Sequence, residues 1–450
     1  MKPMEDPAEH LDRPGNRNAQ IRYVALAALA GILTGSVGSV FHLLIDWLQA
    51  WPRVLATHVD GVVLVAAAAL ITMCATLVSV YVVRRYAPEA GGSGVQEIEG
   101  AMQGLRTVRW QRVLPIKFLT GIVSIASGLV LGREGPTIHI GASFSAAITD
   151  FFKVSETERR GMLGAGAAAG LACAFNAPLA AILFIVEETH RQFPYTFRTY
   201  MGVIIAAVLA TVMTQIIGGT APDFSMAVAS PELTLLPAFV VLGALLGFVG
   251  VSLNAALMWT GSFAGRLNAR VPYLYPAVVG LVVGGLFVTM PLAVTGGEHV
   301  VTALATHSAS LQVLLVLAVV RYVTMTASYS AGTPGGIFAP ILALSMCVGL
   351  AFGGIVELVT PHGIPLAFGM AAMGGLFSAS VRAPIVGVVL TLELTGAYTM
   401  VMPLIVTCMT ANMVAEWIGG RPIYDQLLER TLRKAGIDPA AKGEDKTGLA

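Results

Sequence analysis

Between Val62 and Val83 the chain carries no charged side chain, and the same holds for Leu235–Trp259, Tyr275–Thr289 and Leu311–Val320. Runs of this kind leave few choices. A bilayer offers no water to backbone N–H and C=O groups, so an apolar run of roughly 20 residues folds there as a helix that closes its own hydrogen bonds. The apolar residues are not confined to one face, as they would be on a surface helix of a soluble globule. Hydrophobic residues make up 56% of the 450 and charged residues 12%, where a soluble domain carries about 25% charged. With mean hydropathy at +0.76, too little polar surface remains to clothe a globule in water. The expected class is an all-α polytopic membrane protein.

Charge and cysteine usage exclude several functions. Net charge is +1 and the basic residues are scattered, so no patch offers itself to nucleic acid. Cys74, Cys173, Cys347 and Cys408 lie far apart inside apolar runs and read as small buried hydrophobes. No C-x-x-C or Cys/His cluster points to a metal, and no cofactor is expected. An intramembrane hydrolase would need a nucleophile–base pair or metal ligands; H-E-x-x-H is absent and Ser93 has no histidine partner evident in the chain. The expectation is therefore a non-enzyme.

Met1–Arg22 is polar and mixed in charge, without the layout of a cleaved signal peptide. Arg13, Arg17 and Arg22 flank the first span, while Arg421, Arg430, Arg433 and Lys434 follow the last. The positive-inside rule then puts both termini in the cytoplasm and implies an even number of complete spans, re-entrant pieces aside. The expected organisation is a tail at 1–20, a membrane body at 21–420 and a C-terminal helix and tail at 421–450. Turn formers and Asp223 mark 218–231 as a linker between halves at 21–217 and 232–420.

The halves echo each other. Asn176-Ala-Pro-Leu-Ala-Ala-Ile-Leu-Phe-Ile-Val-Glu187 matches Arg382-Ala-Pro-Ile-Val-Gly-Val-Val-Leu-Thr-Leu-Glu393. Upstream, Gly135-Pro136 and Ala339-Pro340 hold nearly the same distance from their A-P pairs. Repeats of this sort characterise transporters whose sites lie where broken helices meet at the repeat interface. Chance likeness between small-residue-rich helices is the alternative, and the paired spacing argues against it.

Forty-nine glycines and 23 prolines interrupt the apolar runs, so helices must be short, tilted or broken within the membrane. Three breaks stand out: Gly91-Gly-Ser-Gly-Val-Gln96, Gly132-Arg-Glu-Gly-Pro136 and Gly335-Gly-Ile-Phe-Ala-Pro340. Each precedes a helical pattern. A helix start carries unpaired N–H donors and about half a positive charge. Several aimed at one point hold an anion without a full cation, which would hold it too tightly to release. Glu134 sharpens this reading, because a carboxylate in an apolar break is costly and functional by default. At a helix start it competes with an anion for the same donors, and protonation ends the competition.

In that order, these three motifs resemble the signature of the CLC chloride channel and transporter family, over about 23–434. The resemblance implies two inverted-topology halves of tilted and broken helices, and a homodimer with one pathway per subunit. It implies that Ser93 holds the central anion through its hydroxyl, Ile337 and Phe338 through backbone N–H groups, and that the Tyr424 hydroxyl closes the site from the cytoplasm. Glu134 is similar to the external gating glutamate, and Arg133 and Lys117 to basic residues that raise the local anion potential. Gly92, Gly94, Gly132, Gly135, Gly335 and Gly336 are the motif glycines. Without the resemblance, Tyr424 reads as an ordinary interfacial aromatic.

The family holds both channels and proton-coupled exchangers, so fold alone does not choose. Phe184-Ile-Val-Glu-Glu188 resembles the exchanger pattern, in which the second glutamate relays protons from inside. Glu188 is then the internal relay and Glu187 a structural neighbour, and exchange of chloride for protons is the expected function. A passive voltage- or pH-gated chloride channel of the same fold is the alternative. His139 and His190 read as a packed histidine and a bystander. The first motif departs from the family, with Val95-Gln96 where Ile-Pro is usual, which puts anion selectivity in doubt. The retained serine resembles chloride-selective members. No regulatory domain is expected after Tyr424, and the compact form resembles members from the bacterial inner membrane.

Overall fold

The computed structural model describes residues 17–189, 196–220, 224, 226, 228, 231–307, 309–360 and 364–437. Most of the two expected tails, His190 and much of the 218–231 linker lie outside the described residues. Among the described residues the regular structure is helical. The first half contains α1 (Arg17–Leu48), α2 (Trp51–Leu55), α3 (Gly61–Tyr86), α4 (Val95–Met102), α5 (Trp110–Ala126), α6 (Glu134–Phe152), α7 (Glu156–Phe175), α8 (Pro178–Glu188) and α9 (Phe197–Gly218). The second contains α10 (Leu236–Arg270), α11 (Leu274–Thr289), α12 (Glu298–Thr306), α13 (Leu311–Ser330), α14 (Phe338–Val359), α15 (Pro365–Val381), α16 (Pro384–Thr395) and α17 (Val401–Trp417). A closing helix, α18 (Ile423–Lys434), follows.

Among the described residues, seven helical segments are long and apolar enough to cross a membrane, and α11, α15 and α16 are shorter apolar helices. The protein is thus a multi-pass membrane protein. With 35 residues, α10 spans about 50 Å at 1.5 Å per residue. It exceeds a hydrocarbon core of roughly 30 Å and must tilt to fit. Outer helices such as α3 turn apolar side chains outward, and Cys74 is exposed there, unlike the buried Cys173, Cys347 and Cys408. The expectation of four buried thiols fails for Cys74 because α3 faces the outside of the bundle.

The repeat seen in the sequence has a local cause. Asn176 and Arg382, the first residues of the two X-A-P runs, end α7 and α15 in the left-handed conformation, with φ of +50° and +74°. The alanines that follow leave the helical region, with φ of −127° and −120°, and the prolines open α8 and α16, where a missing N–H costs nothing. Each short helix then caps the other. The Glu187 carboxylate accepts the N–H groups of Ile385 (3.2 Å) and Val386 (2.8 Å) at the start of α16. The Glu393 carboxylate accepts those of Leu179 (3.0 Å) and Ala180 (2.7 Å) at the start of α8. These glutamates stand eleven residues after X because that distance carries the chain along one short helix to its partner's opposite end.

Small residues bring the helix pairs of each half together. A Cβ on Gly141 of α6 would run into the Gly166 carbonyl of α7, and one on Gly166 into the Gly141 carbonyl. In the second half Gly349 of α14 packs in the same way on the Phe368 carbonyl of α15. Close backbone approach of this kind replaces the hydrophobic drive that lipid removes.

The reciprocal caps give a stability test. In Glu393→Ala two N–H groups at the α8 start lose their acceptor, a cost of about 1–3 kcal/mol. Glu187→Ala should cost the same at α16. We expect both to lower the thermal unfolding midpoint in detergent by similar amounts; an unchanged midpoint for either would contradict the caps.

Candidate functional site

The three glycine-rich breaks meet. Gly92 donates to the Thr333 carbonyl (3.0 Å) and accepts from Gly335 N–H (3.1 Å), while Gly132 and Gly336 exchange a pair of backbone hydrogen bonds at 2.9 and 2.7 Å. The third break therefore lies between the other two, bound to each by its backbone. Ser124 Oγ donates to the Pro334 carbonyl at 2.8 Å, fixing it further. The starts of α4, α6 and α14 converge on this junction. Gly94 holds φ at +95°, and the His139 ring fills the space a side chain would need. His139 is thus packed, as its sequence setting predicts, and no hydrogen bond joins it to Ser93 Oγ among the described residues.

Glu134 is 1% exposed. Its Oε1 accepts the backbone N–H of Phe338 at 2.6 Å and of Ala339 at 3.3 Å. The carboxylate thus sits on the positive end of α14, where the N–H groups have no intrahelical partner. The neighbouring glycines leave room for it: a Cβ on Gly132 or Gly336 would overlap the carboxylate. Ile337 occupies the residue before the α14 start, so of the two backbone donors expected from the resemblance, Phe338 touches Glu134 and Ala339 is the second.

Beyond Phe338 lie two hydroxyls. Ser93 Oγ and Tyr424 Oη are fully buried and neither has a hydrogen-bond partner. Gly135 brings α6 close to Ser93, since a Cβ there would lie 2.6 Å from Ser93 Oγ. The Phe338 ring meets the Tyr424 ring at 5.8 Å and those of Phe184 and Phe377 at 5.5 and 4.8 Å. Tyr424 is therefore a buried member of this junction and not an interfacial aromatic. Buried hydroxyls without partners are costly, and here they accompany the N–H donors that hold Glu134. Together they form a set of neutral donors able to take a small dehydrated anion.

The two basic residues expected near the pathway are both engaged. Lys117 is fully buried, and its Nζ donates to the carbonyls of Ala90 (2.9 Å) and Gly92 (2.7 Å). Its charge therefore fixes the first break from behind. Arg133 Nε pairs with Glu298 at 2.9 Å, and its Nη1 lies 3.8 Å from Asp46. Neither acidic partner was legible from sequence spacing.

Glu188 ends α8, half-buried, four residues after Phe184. Its carboxylate shares its surroundings with those of Glu99 on α4 and Asp425 on α18. Both Glu99 oxygens are buried without a partner. Sequence reasoning passed over Glu99 and Asp425, because Gln-Glu-Ile-Glu-Gly reads as an exposed helical turn and only tertiary packing brings the three acids together. Phe184, Phe338 and Tyr424 lie between this group and Glu134.

Comparison with known proteins follows the same line. Residues 75–416 match the family described as voltage gated chloride channel. The chain is similar to the H(+)/Cl(-) exchange transporter ClcA of Vibrio parahaemolyticus, 42% identical over 421 residues, or 91% of this chain and 89% of the relative. The protein of the same name from Vibrio campbellii is 40% identical over 435 residues, 93% and 92% of the two chains. Among solved structures, a slow cyanobacterial Cl−/H+ antiporter superposes with a TM-score of 0.88 at 34% identity, covering 92% of this chain and 99% of its own. A eukaryotic CLC transporter superposes with a TM-score of 0.77 at 20% identity, over 91% and 74% of the two chains, a likeness of fold.

The glycine cradle is open to test on one helix approach. Gly336→Ala places a methyl group against the Glu134 carboxylate, whereas Gly354, on α14 itself, faces open space. We expect Gly336→Ala to lower the unfolding midpoint clearly. Gly354→Ala should leave it unchanged or raise it, by up to about 1 kcal/mol of stability. Equal effects from the two substitutions would show that nothing crowds Gly336.

Proposed function

This chain belongs to the voltage gated chloride channel (CLC) family, and from that premise we propose that it exchanges chloride for protons, with Glu134 as the coupling group. The observation that carries the mechanism is the hydrogen bond from Phe338 N–H to Glu134 Oε1. An ionised carboxylate there holds the donors a chloride would need, so anion and carboxylate exclude one another. Protonation removes the charge that the α14 start attracts, and the side chain can leave. Chloride occupancy and Glu134 protonation are then linked through one position, and such linkage is reciprocal. Exchange also fits the relatives named as exchange transporters.

Ser93 and Tyr424 act on the same anion from the other side. Their hydroxyls donate without adding a full charge, so binding is strong enough to strip water and weak enough to allow release. Phe338 and Ala339 supply the backbone donors that Glu134 now holds, with Ile337 N–H as a further donor to the anion. The glycines at 92, 94, 132, 135, 335 and 336 allow the loops to approach closely. Arg133 and Lys117 add positive potential, while their partners keep them out of direct contact with the ion. Glu188 takes up protons on the α18 side, its acidic neighbours supporting that role. A proton passing from Glu188 to Glu134 skirts the aromatic group of Phe184, Phe338 and Tyr424.

The protein is placed in a bacterial inner membrane, with both termini in the cytoplasm and α18 on that side. It is a homodimer with one pathway per subunit, each built from the halves 21–217 and 232–420. Chloride and protons are its substrates, lipid its surroundings, and no cofactor takes part.

In sealed vesicles holding the purified protein, an imposed chloride gradient should move protons against their own gradient. Brisk chloride flux with no proton movement would sink the exchange reading in favour of a passive channel. Glu134→Gln should leave chloride flux while proton movement falls roughly 10²-fold or more, the usual cost of removing a proton-transfer group. Glu188→Gln should do the same to protons. Normal coupling in Glu188→Gln would remove that residue from the proton route.

A further inference from the structure

On the α18 side of the Gly91–Gln96 break opens a cavity of about 700 Å³, within the size range of small-ligand clefts. It is lined from five directions, by the end of α3, the first break, α10, the end of α13 and α18. Gly92 forms part of its wall, the residue whose N–H and carbonyl tie the breaks together. Two polar side chains stand over that glycine. A Cβ built on Gly92 would lie 3.5 Å from the Tyr329 hydroxyl and 3.6 Å from Gln96 Nε2.

Neither side chain has an evident packing reason to be polar. Gln96 is 7% exposed and Tyr329 8%, so both have given up most of their water. Gln96 Nε2, a donor, stands beside Gly92 in the cavity wall and makes no hydrogen bond among the described residues. The Tyr329 hydroxyl stands beside Gly92 at the end of α13 and makes no hydrogen bond of good geometry among the described residues, so its O–H can donate.

The cavity also favours anions. Arg84, Arg430 and Lys434 face it, and the remaining cation, Arg106, is bound to Glu97 at 2.9 Å. Burial, and after it the nearby Arg430 and Arg84, push Lys434 below the usual lysine range, so this group meets like charge. Glu89 is the one carboxylate of the lining without a cationic partner. A wall with excess positive charge gathers anions, but it does so by charge and without regard to shape.

We infer that Gln96 and Tyr329 select among the anions gathered there, holding a monovalent anion by two neutral donors before it passes to Ser93. The inference rests on the exchange reading above. Amide and phenol donate from two different points, which suits a planar oxyanion such as nitrate, with separate acceptor atoms, as well as spherical chloride. Proline in place of Gln96 would offer no donor, and phenylalanine in place of Tyr329 none either. The Val95-Gln96 departure in the first motif thus gains a role: it widens the range of anions admitted.

The test compares nitrate and chloride flux in vesicles for wild type, Gln96→Leu, Tyr329→Phe and the double variant. Loss of one hydrogen bond to the anion should lower the nitrate-to-chloride ratio roughly three- to tenfold in each single variant, and further in the double. Thr431→Val, elsewhere on the same wall, should keep the wild-type ratio. Tyr329→Phe removes one oxygen atom and keeps the ring, so it serves as the decisive variant where Gln96→Leu fails to fold. A wild-type ratio in Tyr329→Phe and the double variant overturns the inference. Because the ratio is read from anion flux alone, that result is distinct from failure of chloride to drive protons in wild type, which would instead overturn the exchange reading.

Discussion

The contact on which the rest depends is a carboxylate resting on the end of a helix that is not its own. Glu134 opens α6, and its oxygen lies on the N–H groups that open α14. A carboxylate buried in a membrane must be compensated, and here the compensation comes from backbone dipoles instead of a cation. That choice explains the glycines, since only backbone without side chains lets two helix starts and a carboxylate share so small a space. It also explains where the full charges are. Lys117 spends its donors on the carbonyls of the first break, and Arg133 on Glu298 and Asp46.

The repeat gives this contact its context. Glu134 and Phe338 stand at equivalent places, each the first residue of its helix with proline two residues on. Elsewhere the halves treat each other alike, as when Glu187 caps α16 and Glu393 caps α8. At the centre the symmetry is broken. One half supplies a carboxylate and the other an apolar ring with the N–H groups that hold it, and this asymmetry is what the proposed exchange uses. Two carboxylates there would repel, and two phenylalanines would leave nothing to titrate.

Much of this was legible in the sequence because it follows from local rules. Long uncharged runs gave the spans, and the two X-A-P runs gave the apolar helices that follow Asn176 and Arg382. The glycine-rich motifs marked the junction. What escaped depends on contacts between distant residues. Glu187 and Glu393 read as neighbours at helix ends, and nothing local says that each reaches the other's helix. Glu99 and Asp425 became visible only when α4 and α18 met beside Glu188. Tyr424 read on its own as interfacial, because burial of a tyrosine near a chain end is set by the helices that close over it. Cys74 shows the converse, an apolar setting that faces outward because α3 lies at the rim of the bundle.

If Glu134 and chloride compete for the same N–H groups, chloride binding must change the protein's proton content. Titration calorimetry of chloride into the detergent-solubilised protein, in buffers of different ionisation enthalpy, counts the protons exchanged per anion bound. We expect net proton uptake on chloride binding in the wild type and its disappearance in Glu134→Gln. Binding heats that are independent of the buffer in the wild type would mean that no proton accompanies the anion, and would contradict the competition at Phe338.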